Sequence, residues 1–164
     1  MRSKKLSLRP VNNNDIDLLT SWLNSDYILQ WYHNPDEWLA EINGRHGVYS
    51  WIHHFIAIAE DIPIGFCQYY DCYNARDLED WYSVTQPDGI FSIDYLIGNE
   101  DYLGKGYGKT IVKILTETIR REEQAKEIIV YPDANNHASI RVLVANGYVY
   151  DEQTKYYRKL LDWF

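Results

Sequence analysis

The sequence predicts a mixed α/β domain, and three observations carry that expectation. The chain has 164 residues, 46% of them hydrophobic, which suits one domain over residues 1–164 with a core large enough to need no staples. Apolar runs of strand length alternate with stretches whose apolar residues recur at helical spacing. A glycine-rich segment, Leu103-Gly104-Lys105-Gly106-Tyr107-Gly108-Lys109-Thr110, joins an apolar strand candidate to a long helical pattern.

Taken in order, Lys4 to Pro10 alternates apolar and polar residues and reads as a first strand. Asn13 or Asn14 can cap a helix through Leu23, with Ile16, Leu19, Trp22 and Leu23 on one face. Pro35-Asp36-Glu37 opens a second short helix that Gly44 stops. His54 to Glu60 and Ile64 to Tyr70 form a hairpin around Asp61-Ile62-Pro63. Residues 73–89 are polar and read as a long loop, a type often functional in a small domain. Ile90 to Gly98 is a buried strand. The helix over residues 105–123 turns Ile111, Ile114, Leu115, Thr118 and Ile119 inward. Ile128 to Tyr131 is a strand, Asn136 to Asn146 a helix ended at Gly147, and two strands close the chain near residues 148–151 and 155–161.

Several classes are disfavoured by composition. A net charge of −8 argues against a nucleic-acid surface, which needs clustered Lys and Arg. Two cysteines, Cys67 and Cys72, make neither a disulfide framework nor a metal cluster. The five histidines (His33, His46, His53, His54, His137) show no metal-ligand spacing, so no metal is expected. No leader-like segment or run of about 18 apolar residues is found, and a cytoplasmic protein with no membrane partner is expected, as a monomer or homodimer. Charge is segregated along the chain. Residues 71–101 carry eight acids against Arg76 alone, whereas residues 105–126 carry six bases against three acids.

The glycine segment is the strongest chemical signal. A bend that exposes successive backbone N–H groups at a helix N-terminus is an anion site, because the amides point outward and the helix dipole favours negative charge. A Walker A loop would need glycine at position 103, which is leucine. The dinucleotide fingerprint G-x-G-x-x-G fails as well, since Gly104, Gly106 and Gly108 give G-x-G-x-G.

The segment does resemble the acyl-CoA loop of GNAT N-acetyltransferases, Q/R-x-x-G-x-G/A, with Leu103 where Gln or Arg is usual. Two further stretches resemble the same family. Asn136-His137-Ala138-Ser139-Ile140-Arg141-Val142-Leu143-Val144-Ala145-Asn146-Gly147-Tyr148 is similar to its second CoA segment, and Ile62-Pro63-Ile64-Gly65-Phe66-Cys67-Gln68-Tyr69-Tyr70 to its central hairpin. The resemblance spans essentially the whole chain and is greatest to the aminoglycoside 6′-N-acetyltransferase branch. It implies the GNAT fold, a central, mostly antiparallel mixed sheet splayed between strands 4 and 5 and flanked by helices. It also implies acetyl-CoA as co-substrate, held by Gly104, Lys105, Gly106, Tyr107, Gly108 and Lys109, with Asn136 and Ser139 on the second segment. Backbone N–H groups near Leu96 and Ile97 would stabilise the oxyanion.

Acetyl transfer to an amine needs a group to take the amine's proton. Asp94 is the candidate base, since a carboxylate inside the apolar stretch Phe91-Ser92-Ile93-Asp94-Tyr95-Leu96-Ile97 is uncommon. The alternative is a carboxylate satisfied by local backbone or a tyrosine hydroxyl. No Ser or Cys is placed as a nucleophile, so direct attack in a ternary complex is expected. The resemblance would put a general-acid tyrosine at position 143, where this chain has leucine; water or another tyrosine is left to supply the proton, and a thiol with a pKa of about 8.5 is a tolerable leaving group.

For the acceptor, the resemblance implies Trp31 and Tyr32 on one side of a cleft and Glu79, Asp80 and Trp81 on the other, with Asp94 between. Aromatic faces and carboxylates suit a cationic amine, and the resemblance implies an aminoglycoside acetylated at its 6′-amine. The alternatives are a protein N-terminus or lysine, a siderophore precursor or polyamine, and a non-catalytic CoA-binding domain.

Overall fold

The computed structural model describes residues 5–78 and 84–161. Its elements run β1 (Leu6–Pro10), α1 (Ile16–Leu23), α2 (Asp26–Leu29), α3 (Pro35–Asn43), β2 (Ile52–Ala59), β3 (Ile62–Asp71) and β4 (Ile90–Ile97). They continue with α4 (Tyr107–Glu123), β5 (Glu127–Val130), α5 (His137–Ala145), β6 (Val149–Tyr150) and β7 (Tyr157–Leu160). The seven strands form one sheet in the order β1-β2-β3-β4-β5-β7-β6. Every neighbouring pair is antiparallel except β4 and β5.

That parallel pair holds the key to the architecture. β4 spans eight residues, but its register with β5 covers only Ile90–Glu127 and Phe91–Ile128. Beyond Phe91 the two strands part, and the edge of β4 that faced β5 is open. This is the splay expected between the fourth and fifth strands.

Each face of the sheet is covered by its own core. On one face α4 buries Ile111, Val112, Leu115 and Ile119 against Ile64, Ile93 and Ile128. On the other, α1 to α3 bring Leu19, Trp22, Leu23, Ile28 and Ile42 onto Ile56, Phe66 and Leu96. Gly98 is essential to that second contact, because a Cβ there would lie 2.0 Å from the Trp22 ring. A smaller cluster around Ile52, Tyr70, Cys72 and Val84 sits beside it.

Local details depart from the sequence expectations in instructive ways. The first helical turn is capped by Asn12 and not by Asn13 or Asn14. Its side chain accepts from Asn14 N, while Asp15 accepts from Asn12 N at 2.8 Å in a capping box. Asp15 is held further by a two-pronged pair with Arg9, both contacts 2.9 Å. The helix α2 was not expected; four residues are too few to show a period. The hairpin turns on Glu60 and Asp61, both in the left-handed region at φ 50° and 69°, so strand β3 already begins at Ile62. The buried stripe of α4 is rotated from the expected one. Val112 and Thr116 are buried while Ile114 and Thr118 are half-exposed, because α5 and Tyr148 press on that flank, with the Thr116 hydroxyl 2.8 Å from Tyr148 Oη.

Candidate active site

The open edge of β4 lines a cleft of about 650 Å³. Its walls come from the loop before α3, from β3 and β4, from the β5–α5 connection and from residues 154–156. Of the residues singled out in the sequence, Trp31, Tyr32, Asp94, Asn136 and Ser139 all line it. Residues 104–109 do not. Glu79, Asp80 and Trp81 lie outside the described residues.

Asp94 sits mid-strand on β4, directly opposite Gln68 of β3. The Gln68 side chain is buried and donates from Nε2 to Asp94 Oδ2 at 3.0 Å. A carboxylate is thereby oriented at the cleft. Its negative charge is felt by Tyr32 and Tyr95, whose hydroxyls it helps to hold protonated after burial, the larger cause.

Alternate residues of β4 use opposite backbone edges. The carbonyl of Leu96 lies towards Gly65 on β3, where a glycine Cβ would meet it at 2.4 Å. The carbonyls of Tyr95 and Ile97 accept from Tyr32 Oη and Tyr27 Oη instead. Of the two amides proposed for oxyanion stabilisation, Ile97 therefore lies on the open edge and Leu96 on the edge paired with β3. Tyr32 accordingly has a structural task as well: its hydroxyl ties the loop before α3 to β4, and its ring meets Trp38 edge-on at 5.3 Å.

Tyr95, like Gln68, was not singled out in the sequence. Its side chain leaves β4 on the face opposite Asp94 and reaches α5, where its hydroxyl lies 2.7 Å from Ser139 Oγ. Burial raises its pKa, so the phenol keeps its proton at neutral pH. The two buried thiols, Cys67 and Cys72, are likewise raised by burial, and neither is a thiolate at neutral pH.

The glycine segment precedes α4 as a left-handed turn. Gly104 has φ +71° and Gly106, the N-cap, φ +83°, a region in which a side chain is strained. No side chain caps α4, and its first turn carries no acid. The first N–H groups of any helix have no intrahelical carbonyl to bond, so this terminus offers donors with Lys105 and Lys109 beside them. Gly108 faces α5, where a Cβ would touch Val142 Cγ2 at 3.5 Å. The N-cap of α5 is Asn136, whose side chain accepts from Ser139 N at 3.2 Å.

The cleft is acidic. Glu37, Glu41, Asp94 and Asp133 line it against Lys155, with Trp31, Trp38, Trp51, Tyr131 and Tyr156 as aromatic walls. Apart from Asp94 and Trp31, these residues carried no local motif; only the fold assembles them. Among the described residues, no group of three or more His, Cys, Asp or Glu is arranged to hold a metal, and no helix is long and apolar enough to cross a membrane.

Comparison with known proteins agrees with this geometry. Residues 12–156 match the family model described as an acetyltransferase (GNAT) domain. The aminoglycoside N(6')-acetyltransferase type 1 of Klebsiella pneumoniae is 26% identical over 153 residues, 87% of this chain and 73% of that protein. The crystal structure of aminoglycoside acetyltransferase AAC(6')-Ib with coenzyme A and kanamycin superposes with a TM-score of 0.80 at 27% identity, covering 95% of both chains. A spermidine N-acetyltransferase from Vibrio cholerae, solved with CoA and spermine, shares the fold at TM-score 0.69 and 14% identity, covering 89% of this chain and 82% of that one. The chain belongs to the GNAT family of acetyltransferases, N-acetyltransferases whose acetyl donor is acetyl-CoA.

Proposed function

We propose that this enzyme acetylates a primary amine of a polycationic small molecule, with the 6′-amine of an aminoglycoside as its acceptor. The observation that carries the reading is the position of Asp94, a carboxylate anchored by Gln68 in a cleft where, among the described residues, four carboxylates face one lysine. Such a cleft concentrates a polycation and offers its ammonium groups several partners. The similarity to aminoglycoside 6′-acetyltransferases supports the same acceptor class. A polyamine would answer to the same charge, and is the second reading. A protein N-terminus or a siderophore precursor carries less positive charge and fits the cleft less well.

The residues divide the work simply. Acetyl-CoA supplies an activated acyl thioester, and the uncapped N-terminus of α4 with its left-handed glycines fits the pyrophosphate. Asp94 takes a proton from the acceptor's ammonium group, leaving a neutral amine beside the open edge of β4. The Ile97 amide stabilises the charge that develops on the carbonyl oxygen as the amine attacks directly. As the C–S bond breaks, the attacking nitrogen releases its second proton to solvent, while Tyr95 donates its hydroxyl proton to the departing sulfur and regains one from solvent through Ser139, which lines the same cleft. A tyrosine on β4 thus takes the place of the one that position 143 lacks. Acetyl-CoA as donor and two unpaired cysteines support a cytoplasmic setting, and the family match over most of the chain supports a single domain.

A thiol-release assay with acetyl-CoA against kanamycin-like compounds, polyamines and peptides tests the reading, with NMR of the product to locate the acetyl group. Aminoglycosides should give the highest kcat/KM, with the acetyl group on the 6′-nitrogen. Turnover of peptides alone would contradict it, and a preference for spermidine would select the second reading.

A further inference from the structure

Among the described residues, the buried side-chain nitrogens and oxygens left without a hydrogen-bond partner are four: Arg45 Nε, both ring nitrogens of His54, and Gln68 Oε1. Buried polar atoms are nearly always satisfied, so each orphan needs a reason. Here the four share one. His54, Gln68 and Asp94 are register partners across β2, β3 and β4, which stands their side chains in a row on one face of the sheet. Beyond His54 comes Arg45, whose charge acts on the imidazole. Arg45 donates from its two terminal nitrogens to Ile42 O and Asn13 Oδ1, leaving Nε unspent.

Donor and acceptor chemistry orders the row. Arg45 Nε–H can only donate, and Gln68 Oε1 can only accept. Gln68 must turn its N–H to Asp94, because a carboxylate only accepts, and its carbonyl oxygen is then left for the His54 side. A neutral imidazole has one acceptor and one donor nitrogen, which suits the position between them. One order of bridged hydrogen bonds would satisfy all four atoms: Arg45 towards His54 and His54 towards Gln68, with Gln68 already bonded to Asp94.

We propose that His54 is a positioning residue, which carries hydrogen bonding from Arg45 to Gln68 through bridging water, and so locks the Gln68 amide with its N–H on Asp94. Buried His54 is stacked on Phe66, and burial, then Arg45 and His53, lower its pKa to about 4. It is therefore neutral wherever the enzyme works. Asp94 faces Gln68 along the row, and Tyr32, Tyr95 and Cys72 also feel its charge. Without the lock, Gln68 can present its oxygen to Asp94, which disfavours the carboxylate and raises its proton affinity. The catalytic consequence, though not the lock itself, rests on Asp94 being the base.

The test is a carbon-13 NMR titration of the Asp94 carboxyl group in the wild type, His54→Phe, Gln68→Leu and the double variant. His54→Phe should raise the Asp94 pKa by about one pH unit. Gln68→Leu should raise it at least as far, and the double variant no further than Gln68→Leu alone. The acid limb of kcat/KM should move with it while the KM for acetyl-CoA stays fixed. An unshifted Asp94 in folded His54→Phe would overturn the proposal. If that variant does not fold, nitrogen-15 spectra of the wild-type imidazole decide. One neutral tautomer at pH 7 supports the lock, whereas an imidazolium or an exchanging pair of tautomers overturns it. Wild-type turnover in Asp94→Asn would remove Asp94 as the base, yet the titration of His54→Phe would still decide the lock.

Discussion

The two halves of the site are built from different materials. In the proposed division of the site, the donor half is a backbone device: left-handed glycines, an uncapped helix terminus and the open edge of a strand. The acceptor half is a side-chain device: Asp94 held by Gln68, acids on several elements and aromatic walls. A backbone device tolerates many side chains but few changes of conformation, so Leu103 can replace the usual Gln or Arg without disturbing the amides around it. A side-chain device has the opposite sensitivity. One altered functional group changes it while the main chain stays in place.

Substitutions can break that contrast, starting with the largest expected effect. Asp94→Asn keeps the shape of the acceptor half and removes its base, so kcat should fall by about 10²–10⁴ with the KM for acetyl-CoA nearly unchanged. Steady-state kinetics with each substrate varied in turn will read both constants, and near-wild-type turnover would take the role from Asp94. Gly106→Val should act on the other half. A β-branched residue at φ +83° costs strain of order 1–3 kcal/mol, so the KM for acetyl-CoA should rise on the order of tenfold to a hundredfold. An unchanged KM would undo the loop's assignment.

Smaller effects sharpen the picture. Glu37→Gln at the exposed side of the acceptor cleft should raise the acceptor's KM roughly two- to fivefold, and less as salt is added. No change in the acceptor's KM at low salt would argue that rim charge plays no part in recognition. Arg9→Ala lies away from both halves and should lower stability by roughly 1–2 kcal/mol while sparing turnover. Its pH dependence has a definite sign. Arg9 is the main cause that holds the Asp15 carboxyl below its ordinary value. The stabilisation is thus full above the unfolded pKa of about 3.9 and is lost as pH falls through the folded one. The gap in melting temperature between wild type and Arg9→Ala should be widest near neutral pH and close in acid; a gap independent of pH would contradict the assignment.

How much could be read from the sequence follows the same division. The left-handed turn at Gly104 and Gly106 and the start of α4 were legible because consecutive residues write them. Asp94 stood out as a carboxylate in an apolar strand. Its partner did not, because Gln68 is 26 residues away and meets Asp94 only through the β3–β4 register. Tyr95 was hidden by its neighbour: the strand turns it to the opposite face, and its importance rests on Ser139, 44 residues downstream. The buried stripe of α4 was read a position off for a related reason, since α5 and Tyr148 decide which flank is covered. Local chemistry is visible in the letters. Pairings set by register or by helix packing need the fold.

The contrast between the two halves is tested most directly by measuring acetyl-CoA binding calorimetrically in the absence of any acceptor. The account predicts that Asp94→Asn binds acetyl-CoA with the wild-type Kd although it hardly turns over, while Gly106→Val binds it at least tenfold more weakly. Equal loss of acetyl-CoA affinity in the two variants would contradict the separation of a backbone donor site from a side-chain acceptor site.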